Sequence, residues 1–247
     1  MQERPLISII IPTYNSGDTL GAALRSVRNQ SYSNLEVLVI DGASRDSTAD
    51  IAASSGIGNL KFLSEPDKGI YDAINKGIGR STGDWIYVLG SDDILAAPEV
   101  MESLAESIRP GDTYICGCIE NIGVKNRFVP HIHCSDLGQE MNWKNKLHQQ
   151  SVIYHRSLFG TDLFNIQYKV LADYDFHLAM RNAEVQGRNI RLMVAKCAAS
   201  GLSKRFPLAL YKEELMIKFR RLNLMLALVN VPWVCLKFVM KLFGRRR

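Results

Sequence analysis

The sequence predicts an α/β protein whose core is a mostly parallel sheet covered by helices on both faces. Four apolar runs of strand length occur within the first 90 residues, and each run ends in a turn. Helix-type periodicity fills the intervals between the runs. Strands that are apolar on both faces and alternate with helices are typical of such sheets. We therefore expect a single Rossmann-like sheet flanked by helices.

The predicted elements can be placed in order along the chain. The strand runs are "LISIII", "LEVLVIDGAS", "LKFLSEP" and "DWIYVLG". Helices are predicted where Leu20, Ala23, Leu24 and Val27 share one face, and also in "SRDSTADIAASSG" and "DKGIYDAINKGIGRSTG". Further along, the pattern is less regular. Strands are predicted in "TYICGCIENIG", "RFVPHIH" and "LHQQSVIYHRSLF", and a helix in "VLADYDFHLAMRNAEVQG".

Composition indicates a globular protein with a basic tail. The chain has 247 residues, of which 47% are apolar and 22% charged, so a sizeable core is expected. The net charge of +5 is uneven, because residues 204–247 hold eleven Lys and Arg against two Glu. The N-terminus lacks the pattern of a signal peptide. The longest uncharged tail stretch, 222–236, has 15 residues, fewer than the roughly 18 needed to cross a bilayer.

The five cysteines are predicted to be reduced thiols. Their number is odd, no CxxC pair occurs, and a reducing cytosolic compartment fits this usage. Cys116, Cys118, His131, His133 and Cys134 have the spacing of alternate strand residues rather than that of a structural zinc site.

Polar residues follow each of the four predicted strands. In an open parallel sheet, ligands bind beyond the carboxyl ends of the strands. These ends carry Thr13, Tyr14, Asn15, Asp41, Glu65, Asp67, Asp92 and Asp93. We therefore expect one polar cleft formed from all four strand ends.

Asp92 and Asp93 are adjacent carboxylates at the end of the fourth strand. Two like charges repel each other there, and a hard divalent cation shared with a phosphate would relieve the repulsion. Alternatively, Asp92 caps a helix in "DILAAPEVMESLAES" and Asp93 faces water. No GxGxxG follows the first strand and no GxxxxGK[ST] occurs, which disfavours a dinucleotide oxidoreductase or a P-loop enzyme.

The order of several motifs resembles that of family 2 glycosyltransferases of the GT-A fold. The motifs are "SIIIPTYN", "VLVIDGASRDST", "EPDKGIYDAINKGI", "STGDWIYVLGSDD", "HQQSVIYHRSLF" and "ADYDF". The chain most resembles bacterial enzymes that build capsular, exopolysaccharide or lipopolysaccharide sugars. The resemblance implies a GT-A domain at 1–205, with a nucleotide-sugar-binding half at 1–112 and an acceptor-binding half at 113–205, and then a helical tail at 206–247. It also implies a UDP- or GDP-sugar donor, a divalent metal (Mg²⁺ or Mn²⁺) and inversion at the anomeric carbon.

The resemblance also assigns roles to individual residues. Asp173 in "LADYDF" matches the catalytic base, His148 lies where the family often has a functional histidine, and Asp92 with Asp93 would hold the metal. The nucleotide and the donor sugar would be bound by Pro12, Thr13, Tyr14, Asn15, Asp41, Gly69, Asp72, Asn75, Lys76, Ser91 and Asp92. Other interpretations stay open: Asp173 caps the following helix, Asp175 is the base instead, or His148 is an ordinary surface or core residue.

Three positions depart from the family pattern. Gly90 replaces the usual first acid of the DxD metal motif, Ala172 replaces an acid that often precedes the base, and Ile74 replaces a common arginine. The departures predict a modest metal affinity that depends on bound nucleotide. They also require another cation at the phosphates, either Lys76 or Arg80.

The predicted function is inverting, metal-dependent transfer of a sugar from a nucleotide-sugar donor to a glycan acceptor in cell-surface polysaccharide biosynthesis. The acceptor is expected to be lipid-linked. The basic amphipathic tail is expected to lie on an anionic membrane at its cytoplasmic face, although helices that pack on the domain or on a second subunit have the same pattern. No nucleic-acid partner is expected. A catalytically silent nucleotide-sugar-binding or scaffold protein is the alternative.

Overall fold

The computed structural model of the protein describes residues 4–123, 129–160, 163–198 and 207–244. Nine strands are assigned in these ranges: β1 Ile7–Thr13, β2 Leu35–Asp41, β3 Leu60–Ser64, β4 Trp85–Val88, β5 Ile94–Leu95, β6 Tyr114–Ile122, β7 Ile132–Cys134, β8 Val152–His155 and β9 Gly187–Ala198. The helices of the same ranges are α1 Leu20–Arg28, α2 Thr48–Ala53, α3 Ile70–Arg80, α4 Val100–Ser107, α5 Ala172–Asn182, α6 Pro207–Arg221 and α7 Leu224–Gly244.

One sheet joins all of these strands in the order β3-β2-β1-β4-β8-β6-β9-β5, with β7 paired to β6. The strands β1 to β4 are mutually parallel, as the alternation of apolar runs and helices predicts. Beyond β4 the sheet is mixed, because β8 runs antiparallel to both β4 and β6. The carboxyl ends of the first four strands therefore lie along one edge of the sheet, which is the edge where the polar residues were predicted to meet.

Successive residues of the central strands enter two separate cores. Ile10 on β1 and Leu38 on β2 pack with Ile74 of α3 on one face. On the other face, Ile9 and Val37 belong to the core that includes α1 and α4. Because both faces of the sheet are covered, these strands are apolar on both sides.

The longest strand, β9, and the short β5 were not predicted from the sequence. The β5 strand pairs with β9 at the end of the sheet. Because residues 94–95 form this strand, the helix predicted in "DILAAPEVMESLAES" begins only at Val100. Asp92 is therefore not the cap of that helix, and this interpretation of Asp92 is wrong.

Two of the cysteines form a disulfide. The register of β6 and β7 places Cys118 directly opposite Cys134, and the two sulfurs are bonded. The prediction of five reduced thiols is therefore wrong for this pair, because the pairing depends on a strand register that the spacing of the cysteines does not reveal. Cys116 and Cys197 are buried free thiols, and Cys235 is an exposed one.

The tail forms two helices, α6 and α7. The break lies between α6 and α7, at residues 222–223, and Pro232 is inside α7. Among the described residues, no helix is long and apolar enough to cross a bilayer. The domain boundary predicted between residues 205 and 206 and the three C-terminal arginines lie outside the described residues, as does the start of the strand predicted in "RFVPHIH".

Candidate functional site

Asp41, at the end of β2, ties the ends of β1, β2 and β3 together. Its Oδ1 accepts from Thr13 Oγ1 at 3.1 Å and its Oδ2 from Ser64 Oγ at 2.7 Å, while Ser44 donates both its N–H and its hydroxyl. Burial by itself raises the pKa of this carboxyl, but the hydrogen bonds outweigh it, so the pKa of Asp41 lies below its usual value. Asp41 is 2% exposed. Its predicted contact with a nucleobase stays a prediction and requires these bonds to rearrange.

Tyr14, the exposed residue of the predicted nucleoside site, lies close to the half-buried Asp67. Tyr14 is 67% exposed directly after β1, whereas Pro12 and Thr13 are buried within the strand. A Cβ atom on Gly42 would lie 2.5 Å from Asp67 Oδ2 and 3.3 Å from Tyr14 Cδ2, so the carboxylate and the ring meet over this glycine. Sequence reasoning counted Asp67 among the strand-end residues but assigned it no role.

The loops that follow β1 and β4 are in direct contact. Asn15 has a φ of 48°, in the left-handed region that asparagine enters more readily than most residues, and its N–H donates to Ser44 Oγ at 2.7 Å. Ser16 Oγ lies 2.9 Å from Ser91 Oγ. The loop that carries Asn15 is therefore held beside the loop that carries Asp92.

Gly69 shapes the turn that leads into α3. Its φ of 120° is rarely open to a residue with a side chain. Asp67 Oδ1 accepts from the N–H of Gly69 at 2.8 Å, and Asp72 Oδ2 accepts from the N–H of Lys68 at 2.9 Å. Asp72 thus fixes the turn at the predicted donor site.

Asn75 is half-buried and bonds the backbone of Phe164. Its Nδ2 donates to the carbonyl of Phe164 at 2.8 Å, and its Oδ1 accepts from the N–H of Phe164 at 3.1 Å. Each end of the amide thus has a backbone partner, and the predicted contact of Asn75 with the donor stays a prediction. Asn75 anchors the segment that precedes α5.

Lys76 and Arg80 are both paired with Glu65. The Lys76 Nζ atom lies 3.0 Å from Glu65 Oε1 and 3.6 Å from Asp72 Oδ2, and it donates to the carbonyl of Pro66 at 2.8 Å. Arg80 reaches the other oxygen of Glu65 at 3.7 Å. Both cations already face carboxylates, so a phosphate would compete with these ion pairs, and the predicted role of Lys76 or Arg80 at the phosphates stays a prediction.

Lys169 brings a different, exposed cation to the start of α3. Its Nζ donates to the carbonyl of Lys68 at 2.7 Å, and its Cδ lies 4.0 Å from the point where a Cβ on Gly69 would be. No sequence motif singled out this lysine, because its position depends on the packing of the segment before α5 against α3.

Asp92 and Asp93 present a pair of carboxylates at the end of β4. A Cβ on Gly90 would overlap Asp93 Oδ2 and lie 3.2 Å from Asp92 Oδ1, so both carboxylates crowd the space left by this glycine. Asp92 is exposed, whereas Asp93 is buried and accepts from the N–H of Ala198 at 2.9 Å. Burial and the neighbouring Asp92 raise the pKa of Asp93 to about 7.

These oxygen ligands fit Mg²⁺ or Mn²⁺, which bind few carboxylates and complete their coordination with water and phosphate oxygens. Among the described residues, no cluster of three or more His, Cys, Asp or Glu side chains could hold a metal. The pair could therefore bind a divalent ion only in combination with other ligands, such as a diphosphate.

His148 lies beside the carboxyl end of β4. The segment 148–151 precedes β8, which is antiparallel to β4, and Tyr87 OH donates to the carbonyl of Gln150 at 2.8 Å. The N–H of His148 donates to Ser135 Oγ at 2.8 Å. His148 thus occupies the same edge of the sheet as Asp92, although its catalytic role stays a prediction.

Asp173 stands in the first turn of α5 with its carboxylate fixed from three sides. Tyr71 OH lies 3.1 Å from Oδ1, the N–H of Tyr174 donates to Oδ1 at 2.8 Å, and Asn145 Nδ2 donates to Oδ2 at 3.2 Å. Leu171 occupies the N-cap, so the interpretation of Asp173 as a helix cap is wrong. Sequence reasoning missed both Tyr71 and Asn145, which are far from Asp173 in the chain.

The environment of Asp173 suits a carboxylate that accepts a proton. Burial raises the pKa of this carboxyl to about 6, even though its three hydrogen bonds lower it. A base with a pKa just below neutral pH is largely ionised, yet it is basic enough to assist removal of a hydroxyl proton.

Asp175 points to the opposite side of α5. Its two oxygens accept from Arg221 Nε at 2.7 Å and from the Arg221 terminal nitrogen at 2.8 Å, and the residue is 2% exposed. This bidentate ion pair joins α5 to α6. Asp175 therefore has a structural partner, and the assignment of Asp173 as the base stays a prediction.

Comparison with known proteins identifies relatives over most of the chain. A model of the family described as "Glycosyl transferase family 2" matches residues 8–185. A protein of Mycobacterium bovis named "PGL/p-HBAD biosynthesis glycosyltransferase" is 34% identical over 199 residues, which cover 77% of this chain and 76% of the relative. Its name does not refer to exopolysaccharide or lipopolysaccharide synthesis.

Solved structures with the same fold support the predicted architecture. S. aureus TarS has a TM-score of 0.69 at 20% identity, and the match covers 85% of this chain but only 38% of TarS. Its fragment 1-349, solved with UDP-GlcNAc, has a TM-score of 0.68 at 21% identity, and the match covers 88% of this chain and 67% of the fragment. The mannosyltransferase PcManGT from Pyrobaculum calidifontis, solved with GDP-Man and Mn²⁺, has a TM-score of 0.65 at 17% identity. The match covers 87% of this chain and 64% of PcManGT. These similarities confirm the GT-A-type fold.

Proposed function

Because this chain belongs to glycosyl transferase family 2 and is a glycosyltransferase, we propose that it transfers a sugar from a nucleoside diphosphate donor to a hydroxyl group of a glycan acceptor, with inversion. The observation that carries this proposal is Asp173, a carboxylate with three hydrogen bonds and a raised pKa beside the strand-end cleft. In the proposed reaction, Asp173 takes the proton of the acceptor hydroxyl. The acceptor oxygen bonds to the anomeric carbon while the bond from that carbon to the diphosphate breaks, and the nucleoside diphosphate leaves.

The donor would lie across the carboxyl ends of β1 to β4, with the nucleoside at the pair formed by Tyr14 and Asp67. Lys169 is a candidate cation for the diphosphate. Solved structures of the same fold contain UDP-GlcNAc or GDP-Man, which supports a UDP- or GDP-sugar donor. In this proposal, residues 1–112 bind the donor and residues 113–205 complete the acceptor side.

Asp92, with Asp93, would hold a divalent ion at the diphosphate. Such an ion, when bound, stabilises the negative charge that develops on the leaving oxygens. PcManGT was solved with Mn²⁺, which supports this choice of cofactor. The buried position of Asp93 makes the exposed Asp92 the principal ligand.

We expect the rate of sugar transfer to rise with pH through a limb centred near pH 6. Protonated Asp173 cannot accept the hydroxyl proton, and its pKa is raised to about 6, so activity is lost as the pH falls through this value. Single-turnover rates measured at saturating donor between pH 5 and 8 would reveal the limb. A rate that stays constant through pH 5 would contradict the assignment of Asp173 as base.

A lipid-linked acceptor is supported by an exposed apolar stripe on α7. Residues 227, 230 and 234 are buried against the protein, and the opposite face exposes Leu224, Met225, Leu228, Val229, Trp233, Leu236, Val239 and Met240. A helix with one apolar face to the outside is suited to lie in a membrane interface. The tail is less basic at its surface than the sequence suggests, because Lys218, Arg221 and Lys237 form ion pairs within the protein. We therefore propose peripheral attachment to the cytoplasmic face of a membrane, driven mainly by the apolar stripe.

We expect the triple substitution M225Q/L228Q/V229Q to weaken vesicle binding at least about tenfold, since each change removes apolar area that the membrane would bury. Cosedimentation with vesicles of mixed anionic and zwitterionic lipid measures this. The matched control is I122Q/I132Q, which changes exposed apolar residues outside the tail. Unchanged vesicle binding by the triple variant would contradict the membrane role, and loss of a dimer instead would assign the stripe to a second copy.

The alternative function is a silent nucleotide-sugar-binding or scaffold protein, which the departures at Gly90, Ala172 and Ile74 permit. A thermal-shift screen of UDP- and GDP-sugars with Mn²⁺ would identify the donor, because a bound ligand stabilises the folded state. Slow, metal-dependent hydrolysis of that donor would support the enzyme. Donor binding without hydrolysis, and without transfer to any glycan or glycolipid acceptor, would support the scaffold.

A further inference from the structure

Helix α6 contacts the backbone of the segment that leads into Asp173, although the sequence places this helix in a tail. Glu213 on α6 is buried, and its carboxylate accepts three backbone N–H groups. These are the N–H of Lys169 at 2.7 Å, of Val170 at 3.0 Å and of Leu171 at 2.9 Å. The segment held in this way ends two residues before Asp173.

The same segment orients the partner of Asp173 on α3. Tyr71 OH lies 3.0 Å from the carbonyl of Val170 and 3.1 Å from Asp173 Oδ1. By fixing the N–H groups of this segment, Glu213 also fixes the carbonyl that positions the Tyr71 hydroxyl. A shift of the segment would therefore move both Asp173 and Tyr71.

A second residue of α6 supports the other side of the carboxylate. Lys218 is fully buried, and its Nζ donates to the carbonyl of Trp143 at 3.0 Å, two residues before Asn145. It is held there by Glu214 Oε1 at 2.8 Å and by Asn230 Oδ1 of α7 at 2.8 Å. Asn145 in turn donates to Asp173. The segment before Asp173 and the segment that carries Asn145 are thus both anchored to α6.

We propose that Glu213 is a positioning residue for catalysis, which holds the Lys169–Leu171 backbone so that Asp173 and Tyr71 keep their geometry. This inference rests on the proposed role of Asp173 as the base. A carboxylate that accepts three backbone N–H groups is stronger at this task than a neutral amide, because charge-assisted hydrogen bonds are about twice as strong as neutral ones. Gln at this position would also turn an N–H₂ group toward backbone donors.

We expect E213Q to lower kcat about 10- to 100-fold with little change in the KM for the donor, since small displacements of a catalytic group have effects of this size. The acid limb of the kcat profile should move to higher pH by about half a unit or more, because Asp173 loses hydrogen bonds that favour its ionised form. The titratable groups that interact with Asp173 are Tyr71 on α3 and Tyr154 on β8, whereas Glu213 bonds the backbone of the preceding segment. The two tyrosines stay neutral in this pH range, since their pKa values are raised well above the usual value by burial.

The matched control is E106Q, which removes the same charge from an exposed position on α4. E213D would restore part of kcat if the negative charge matters, and Tm measured for each variant separates positioning from loss of fold. A lower Tm with wild-type kcat and an unmoved limb would overturn the proposal.

Titration of ¹³C-carboxyl-labelled aspartates by NMR tests the same point without turnover. The Asp173 signal is the one that disappears in D173N, and its midpoint should move upward in E213Q but not in E106Q. An unmoved midpoint would overturn the positioning role even if no acceptor is found. Failure of the proposed function is a separate result: D173N would then transfer sugar as well as the wild type does.

Discussion

Replacing Asp173 by Asn should lower the rate of sugar transfer by about 10² to 10⁴, the usual contribution of a placed general base. Asn has nearly the same shape and can still accept from Tyr71 and from the N–H of Tyr174, but it cannot take a proton. Donor binding should therefore stay within a few-fold of the wild type. Single-turnover transfer and calorimetric donor binding, measured on the same preparations, would show the two effects separately.

The contrast with D175N makes this experiment specific. Asp175 is two residues away on the same helix, but its carboxylate is paired with Arg221 on α6. Removing one partner of a buried ion pair costs stability, so D175N should lower Tm while the folded fraction keeps a rate within a few-fold of the wild type. If D173N kept the wild-type rate and D175N lost it, the base would be Asp175.

The donor half of the fold could be predicted because its signals are local. The strands β1, β2 and β4 are mainly apolar runs, and the helices between the strands have clear periodicity, so Ile10 and Leu24 are in the core as expected. The polar residues after these runs meet at one edge, since parallel strands end on the same side. Short-range patterns are sufficient for this part of the molecule.

The acceptor side could not be predicted to the same extent, because it depends on pairings between distant residues. The β9 strand lies between β6 and β5 in the sheet, and nothing local in its sequence specifies those neighbours. The Cys118–Cys134 bond follows from the register of β6 and β7. The engagement of Asn75 with Phe164 likewise joins residues 89 apart in the chain. In each case a tertiary contact decides the role that residue type alone leaves open.

Tertiary contacts also explain why the role of the tail could not be predicted from its sequence. Glu213 and Lys218 look like ordinary charges of an amphipathic helix, yet both are buried against the segments around Asp173. An interpretation from composition alone assigns all the basic residues to a membrane surface. The structure divides the tail into a face that supports the catalytic domain and an apolar stripe that faces outward.

Asp92 is the second residue whose replacement should strongly lower the rate of sugar transfer. We expect D92N to lower metal-dependent transfer by about 10² or more, since a metal contributes several kcal/mol to transition-state stabilisation and each 1.36 kcal/mol is a factor of ten. D93N should have a smaller effect, because Asp93 is buried and an Asn there can still accept from the N–H of Ala198. Transfer rates titrated with Mn²⁺ at saturating donor would give both the maximal rate and the apparent metal affinity of each variant.

Gly90, which precedes this pair, leads to a prediction of how the affinity for Mn²⁺ depends on nucleotide. Since Gly90 contributes no carboxylate, Asp92 and Asp93 offer few ligands, and Mn²⁺ should bind weakly until a nucleoside diphosphate adds its own oxygens. Calorimetry should therefore detect Mn²⁺ binding that strengthens when UDP or GDP is present, and D92N should remove this dependence. Tight binding of Mn²⁺ without nucleotide, or full Mn²⁺-dependent transfer by D92N, would contradict a site in which the ligand's phosphates complete the coordination.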